Sequence, residues 1–363
     1  MYRFLTRRSN SLQWRRDRVS SATRIAALLA LTGPEAPYAR QLQHAIGLAF
    51  EDAVRPCDLV VADDHADAAR AAEAARQLAS DPSVIAVVGP MNSWTCESAG
   101  VAFAATALPH ITPSASNAAL AEQGWPTFFR ACPADDVQAR VLAAVADRFV
   151  GAGRVGAVDD GSSFAAPLCA GFLAAAAVRG LAPLRRASVA HARAGALERA
   201  ADAIARDAPD AVLIAGLEEP CQQAARALRA RGVGAVFLGT DGIKPSRALR
   251  VDGFPAPWLT NSATDARYQA PAFHARMLQL VREHHSIYTV EAWEAAGLLL
   301  DILRRGARTR KEVHAALANR ARGDGPLAFD QRGERLDPRI GLYVDEESGP
   351  RFVGDSADLL GSL

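Results

Sequence analysis

Thr112-Pro-Ser-Ala-Ser116, read with Val87-Val-Gly-Pro-Met-Asn-Ser93 upstream, is the stretch on which the fold turns. Each phrase follows a short apolar run and precedes a helical pattern. Each therefore puts small hydroxyl residues and free backbone N–H groups where a strand ends and a helix begins. Such a position suits a small charged ligand better than it suits bond breaking.

Working outward, short apolar runs alternate with longer amphipathic ones. Strands are expected at Ile25–Leu31, Leu59–Ala62, Val84–Val88, His110–Thr112, Val155–Val158, Ala187–Val189, Ala211–Ala215 and Val236–Leu238. Helical periodicity fills 38–54, 67–80, 94–106, 135–149, 164–179, 195–206 and 220–231. Strand–helix alternation of this kind predicts an α/β fold of parallel sheets covered by helices on both faces. Turn chemistry agrees: Asp64 and Asp67 are placed to cap the helix after the second strand, Ser93 the helix after the third, and Gly151 to close the helix ending near Val150. The series restarts at Cys132-Pro-Ala-Asp-Asp136, which predicts two similar units in tandem. Beyond it, Pro271–His284, Val290–Arg305 and Lys311–Asn319 read as helices, and 340–344 with 351–353 as a closing hairpin.

At 363 residues the chain is long enough for two cores. A formal net charge of +1 gives no argument for a nucleic-acid partner. The local exception is the start: residues 1–24 carry seven arginines against Asp17, so 1–23 reads as a solvated, poorly ordered basic tail, with a membrane-surface or partner-binding arm as the alternative. No run is long enough to span a bilayer, and the sequence as written shows no export signal. The five cysteines are scattered with no C-x-x-C pair, so free buried thiols are expected.

Chemical motifs are weak. Gly151-Ala-Gly153-Arg-Val-Gly156 matches a dinucleotide fingerprint but leads into a strand instead of following one, and reads as a helix-to-strand loop. Asp63, Asp64, His65 and Asp67 could take a hard cation, but their place between strand and helix favours N-capping. His284-His285 reads as a helix end. No hydrolase elbow, zinc-protease or phosphate-loop motif is present. Catalytic residues, a metal and a cofactor are therefore not expected. The strand-end loops form a coherent set instead. The first unit offers N–H groups, hydroxyls and an aromatic; the second offers an aromatic and one acid, Asp241. A ligand held between them meets anion-binding and cation-binding groups from opposite sides, which suits a zwitterion.

Leu31-Thr-Gly-Pro-Glu-Ala-Pro-Tyr38, Val87–Ser93, Ile111–Ser116 and Phe237-Leu-Gly-Thr-Asp-Gly242, in this order, make the chain resemble the type I periplasmic solute-binding proteins, specifically the leucine/isoleucine/valine-binding group of ABC importers. The likeness runs from about Arg24 to about Val353. It implies two doubly wound lobes joined by three crossing segments: 24–131 plus 258–333, and 132–257 plus 334–363. It implies that the lobes close on a small amino acid or amide-like solute. By the same resemblance Ser93 binds the ligand carboxylate, Ser114 supplies a carbonyl, and Ser116 supplies a hydroxyl and N–H, with Ala115 between them. Tyr38, Phe164, Leu217 and Tyr288 line the pocket, and Asp241 pairs with the ammonium group. Phe164 stands where the group often has tyrosine, and Leu217 where it often has an aromatic. Ala66 and Asn92 occupy the places of the group's disulfide. The implied partner is an ABC permease. The alternative is a cytoplasmic ligand sensor with a regulatory protein partner; the localisation is cytoplasmic as written and extracytoplasmic if a leader is missing from the start.

Overall fold

The structure is a computed structural model and describes residues 23–53, 57–162, 164–189, 195–243, 247–281, 287–321, 323 and 325–361. The first unit runs β1 (Arg24–Leu29), α1 (Ala36–Asp52), β2 (Asp58–Asp63), α2 (Ala68–Ser80), β3 (Val84–Val88), α3 (Ser93–Ala105), β4 (His110–Thr112) and β5 (Phe128–Arg130). The second runs α4 (Asp135–Val145), β6 (Arg154–Asp159), α5 (Ala165–Val178), β7 (Ala182–Ser188), α6 (Ala196–Asp207), β8 (Ala211–Ala215), α7 (Glu218–Arg229), β9 (Val236–Gly239) and β10 (Trp258–Asn261). The remainder is α8 (Ala266–Gln269), α9 (Pro271–Leu280), α10 (Thr289–Arg304), α11 (Arg310–Ala318), β11 (Gly341–Glu346), β12 (Gly349–Asp355) and α12 (Ser356–Leu360).

Two sheets result. The first has the order β2-β1-β3-β4-β5, all parallel. The second has the order β12-β11-β10-β9-β8-β6-β7, parallel from β7 to β10, with β11 and β12 added as an antiparallel hairpin. Renumbered from its own start, β6 to β10 repeats the 2-1-3-4-5 order of the first unit. In this doubly wound order the crevice opens where the winding reverses: beyond β1 and β3 in one sheet, and beyond β6 and β8 in the other.

Strand periodicity sets the layers. Along β1, Ile25, Ala27 and Leu29 join the core under α1 and α10, while Ala26 and Leu28 join the core under α2 and α3. Along β8, Ala211, Leu213 and Ala215 face the α4–α5 core, and Val212 and Ile214 the α6–α7 core. Both faces are covered, which is why these strands read as unbroken apolar runs. In α2, Ala71, Ala74, Ala75 and Leu78 form the buried stripe at helical spacing. Its start is fixed by Asp67, whose side chain accepts the Arg70 N–H at 2.9 Å. Pro82 follows its last turn and disfavours further helix at Asp81.

Several expectations need correction. The strands β5 and β10 were not anticipated. Trp258–Asn261, assigned by expectation to the first lobe, pairs with β9 in the second sheet. It is the fifth strand of its repeat, as β5 is of the first, so the chain crosses after Asn261 and not before Trp258. Strand β7 begins at Ala182, five residues before the expected start, because an edge strand carries the exposed Arg185 and Arg186 that hide its pattern. Ser93 does not cap α3; Asn92 is the cap residue, and the Ser93 hydroxyl accepts the Asn117 N–H at 3.3 Å. Asp64 makes a local turn to the Ala66 N–H at 2.9 Å instead of capping α2. The helix expected over Pro271–His284 ends at Leu280, and His284-His285 lies outside the described residues, as does the tail up to residue 22.

Candidate functional site

The loops after β3 and β4 are stitched into one surface. The Thr112 hydroxyl donates to the Pro90 carbonyl at 2.7 Å and accepts the Ala115 N–H at 2.9 Å. The Ser114 hydroxyl donates to the Met91 carbonyl at 2.8 Å. From behind, the buried Arg130 donates to the carbonyls of Ala115 (2.9 Å) and Asn117 (2.7 Å), and its remaining nitrogens face Glu334. Burial pulls the Arg130 pKa down, but the Glu334 carboxylate more than offsets it, so the guanidinium stays charged. Ser93, Ser114, Ala115 and Ser116 are thus held together at the carboxyl ends of their strands. Tyr38, in the first turn of α1 after Pro37, is half exposed beside the β1 exit.

The second sheet brings its own strand ends together. Phe164 precedes α5 and Leu217 precedes α7. A Cβ placed on Gly242 would lie 2.4 Å from the Gly216 carbonyl oxygen and 3.0 Å from the Phe164 ring, so these three loops touch. Only a residue without a side chain allows that approach. Leu217 is 65% exposed, and its N–H donates to Asp160 at 2.9 Å. Its side chain stands at the rim and is not a wall. Asp241 is buried in the turn after β9.

The two units meet at Asp241. Its Oδ2 accepts the Tyr288 hydroxyl at 2.6 Å, and Tyr288, the residue before α10, belongs to the core of the first sheet. Tyr288 adopts a left-handed φ of 66°, an uncommon conformation for an aromatic residue, which turns the chain into α10. A second seam contact runs from the Asp135 N–H to the Ser116 carbonyl at 2.9 Å. Burial raises the Asp241 pKa; the Tyr288 hydroxyl and the Gln138 amide oppose the shift, the amide from beyond hydrogen-bond contact, since Asp241 Oδ1 has no partner among the described residues. Asp135 is pushed up to about 7 by burial and by the Asp241 charge, against a hydrogen bond from Ser116.

The nine residues expected at the site lie on strand-end loops or at the starts of the helices that follow them: Tyr38 in the first turn of α1, Ser93 opening α3, and Tyr288 just before α10. Asp135 and Gln138, buried at the same seam, are not among the residues the sequence singles out. Their one signal was Cys132–Asp136, which reads in sequence only as a helix start. The acidic stretch after β2 behaves as a turn: Asp63 accepts the N–H groups of Leu31 (2.8 Å) and His65 (2.9 Å). Among the described residues no group of three or more His, Cys, Asp or Glu side chains is arranged to hold a metal.

Two doubly wound sheets with facing strand-end loops and a polar seam between them define a two-lobed solute-binding fold. The chain belongs to the periplasmic binding protein family, whose sequence profile matches residues 22–335. Its fold is similar to that of a leucine-binding protein from Thermotoga maritima (19% identity, 92% of this chain and 98% of that one, TM-score 0.76). It is also similar to a branched-chain amino acid transporter substrate-binding protein from Streptococcus pneumoniae solved with isoleucine (18%, 92% and 98%, TM-score 0.73). A third similar structure is an ABC transporter solute-binding protein from Rhodopseudomonas palustris solved with 3,4-dihydroxybenzoic acid (16%, 93% and 96%, TM-score 0.75). A comparison with curated protein sequences gave no match.

Proposed function

We propose that this protein clamps a small amino acid between its two lobes as the substrate-binding component of an ABC-type importer, and that it is not an enzyme. One observation carries the choice of ligand: a carboxylate, Asp241, buried at the seam with one oxygen unpartnered among the described residues, opposite a loop of hydroxyls and N–H groups. In this reading Ser93 and Ser116 take the ligand carboxylate, the Ser114 carbonyl and Asp241 take the ammonium, and Tyr38, Phe164 and Tyr288 bound the side chain. Charge-assisted bonds at both ends orient a zwitterion. The similar structures include both amino-acid and aromatic-acid complexes. A buried acid favours the amine-bearing class, because an aromatic acid would place a second anion beside it. The reading carries an extracytoplasmic setting and a membrane permease as partner.

A thermal-shift panel of leucine, isoleucine, valine, small amides and benzoate tests it. A ligand at a hundredfold its Kd adds about 2.7 kcal/mol of stability. At least one amino acid is expected to shift the melting temperature and benzoate is not. Asp241→Asn is expected to weaken that amino acid about 100-fold, the loss of one charge-assisted bond of about 3 kcal/mol. A shift with benzoate alone, or undiminished binding in the variant, rejects the assignment.

A further inference from the structure

We infer that Asp135 is a second ligand-binding carboxylate, and that Asp135, Asp241 and Gln138 together form a pocket for a primary ammonium ion. The inference rests on the amino-acid reading above and deepens it.

Asp135 lies in the first turn of α4, where an acid suits the helix dipole, but it caps nothing and forms no ion pair among the described residues. It opens α4, yet no side chain caps that helix. Its neighbour Asp136 does the ordinary work: it is exposed and pairs with Arg140 at 2.7 Å, one turn on. Asp135 is 7% exposed, and its Oδ1 has no partner among the described residues. A buried carboxylate oxygen without a donor is costly unless something supplies one.

Two further unpartnered oxygens sit on elements that hydrogen bonds tie to the same seam. Gln138 lies one helical turn from Asp135 and is fully buried. Its Nε2 donates to the Thr260 hydroxyl at 3.1 Å, and that hydroxyl donates to the Gly239 carbonyl at 2.9 Å. Since the Thr260 proton goes to Gly239, Thr260 must accept from the Gln138 amide nitrogen. That fixes the amide and leaves Gln138 Oε1 as an acceptor, which also has no partner among the described residues. The chain of bonds ends two residues before Asp241, whose Oδ1 is the third such oxygen. Three such oxygens at one seam suit R–NH₃⁺, which brings three N–H bonds and a charge.

The charged and titratable groups around Asp135 offer no substitute. Asp241, Asp136, Cys132 and Tyr288 bring no positive charge, and Arg130 is engaged by Glu334 and two carbonyls. Burial raises both carboxyls, and the Asp241 charge adds to the shift that pushes Asp135 up to about 7, so the two acids do not ionise independently and a proton is held at Asp135 around neutrality. An incoming ammonium ion displaces that proton to solvent. No bond to carbon changes; the O–H of one carboxyl breaks and the proton leaves to buffer.

The closing experiment is calorimetric titration of the full chain at pH 6.5 in two buffers of different ionisation enthalpy. The probes are leucine, isoleucine and valine, their N,N,N-trimethyl and desamino analogues, and the simple amines butylamine and isobutylamine. The expected result is binding of an amino acid with release of a substantial fraction of a proton, affinity rising as pH passes through 7, no binding of the trimethyl analogue, and 10- to 100-fold weaker binding with no proton release in Asp135→Asn. Amino-acid binding without proton release, or equal affinity for the trimethyl analogue, overturns the inference and leaves the importer reading standing. Binding of simple amines but no amino acid keeps the ammonium pocket and removes the amino-acid reading. Binding of neither class overturns both. Proton release and analogue discrimination are read on the wild-type chain, so the decision does not depend on whether Asp135→Asn folds.

Discussion

Asp135 keeps its proton in the folded protein at pH values where the unfolded chain has lost it. Its folded pKa is about 7, raised first by burial and then by Asp241, against about 3.9 for an unfolded aspartate. Between those values the native state binds more protons than the unfolded one, so stability falls as pH rises, and the loss is complete above about 7. The sign is opposite to that of a salt-bridged aspartate. Glu294, also pushed up to about 7 by burial against the pull of Arg335, acts in the same direction. A shift of about three pKa units corresponds to at most about 4 kcal/mol for one group. Ligand-free protein is therefore expected to melt at a lower temperature at pH 8 than at pH 5, and Asp135→Asn is expected to flatten that slope. Scanning calorimetry across this range decides: a melting temperature that climbs between pH 5 and pH 8 contradicts the assignment.

At the scale of elements, the end of β3 is a tightly constrained turn. Gly89 has a φ of +110°, and a Cβ there would sit 2.1 Å from the Leu28 carbonyl oxygen of β1. Backbone cannot yield as a side chain can, so Gly89→Ala is expected to cost more than about 3 kcal/mol in urea denaturation; a loss under about 0.5 kcal/mol would show that the two strands are free to move apart. Nearby, the resemblance implied a disulfide whose places are taken by Ala66 and Asn92, and here the Trp94 indole donates to the Ala66 carbonyl at 2.9 Å, tying the same two loops. These elements differ in how plainly the sequence announces them. Long buried runs such as Val84–Val88 and Ala-rich helices such as α2 are legible because their periodicity spans several repeats. The short β5 and β10 lack the flanking pattern that marks β4 and β9: β5 follows Pro126 and ends in Arg130, and β10 follows Pro255 and Pro257 and ends in polar Thr260 and Asn261. The hydroxyl loop and Asp241 stand out because their residue types are unusual where strands end. Asp135 is silent because its burial at the seam depends on where α4 lands after the chain crosses between units, which no local pattern encodes.

At the scale of the molecule, the repeat explains the crossings. Each unit completes five strands in the same order, and after the fifth the chain leaves for the other: after β5 into α4, and after β10 toward α8 and α10. The third passage lies between Phe329, in the core of the first sheet, and Ile340, in that of the second. Three passages of chain permit a hinge, and the bond from Tyr288 to Asp241 links the two units that such a hinge would part. A hydrogen bond to a charged acceptor contributes about 1.5–3 kcal/mol, enough to shift an open–closed equilibrium roughly 10- to 100-fold. Under the proposed amino-acid reading the bond would act as a clasp that favours closure before any ligand arrives, and the ligand's ammonium would add to it at the same carboxylate. Tyr288→Phe keeps the ring in the core and removes only the clasp. Small-angle scattering is expected to give a larger radius of gyration for the ligand-free variant than for the ligand-free wild type, with the two converging once saturated by the amino acid identified in the thermal-shift panel. Equal radii without ligand would mean that the core contacts of Tyr288, and not its hydroxyl, hold the lobes in register.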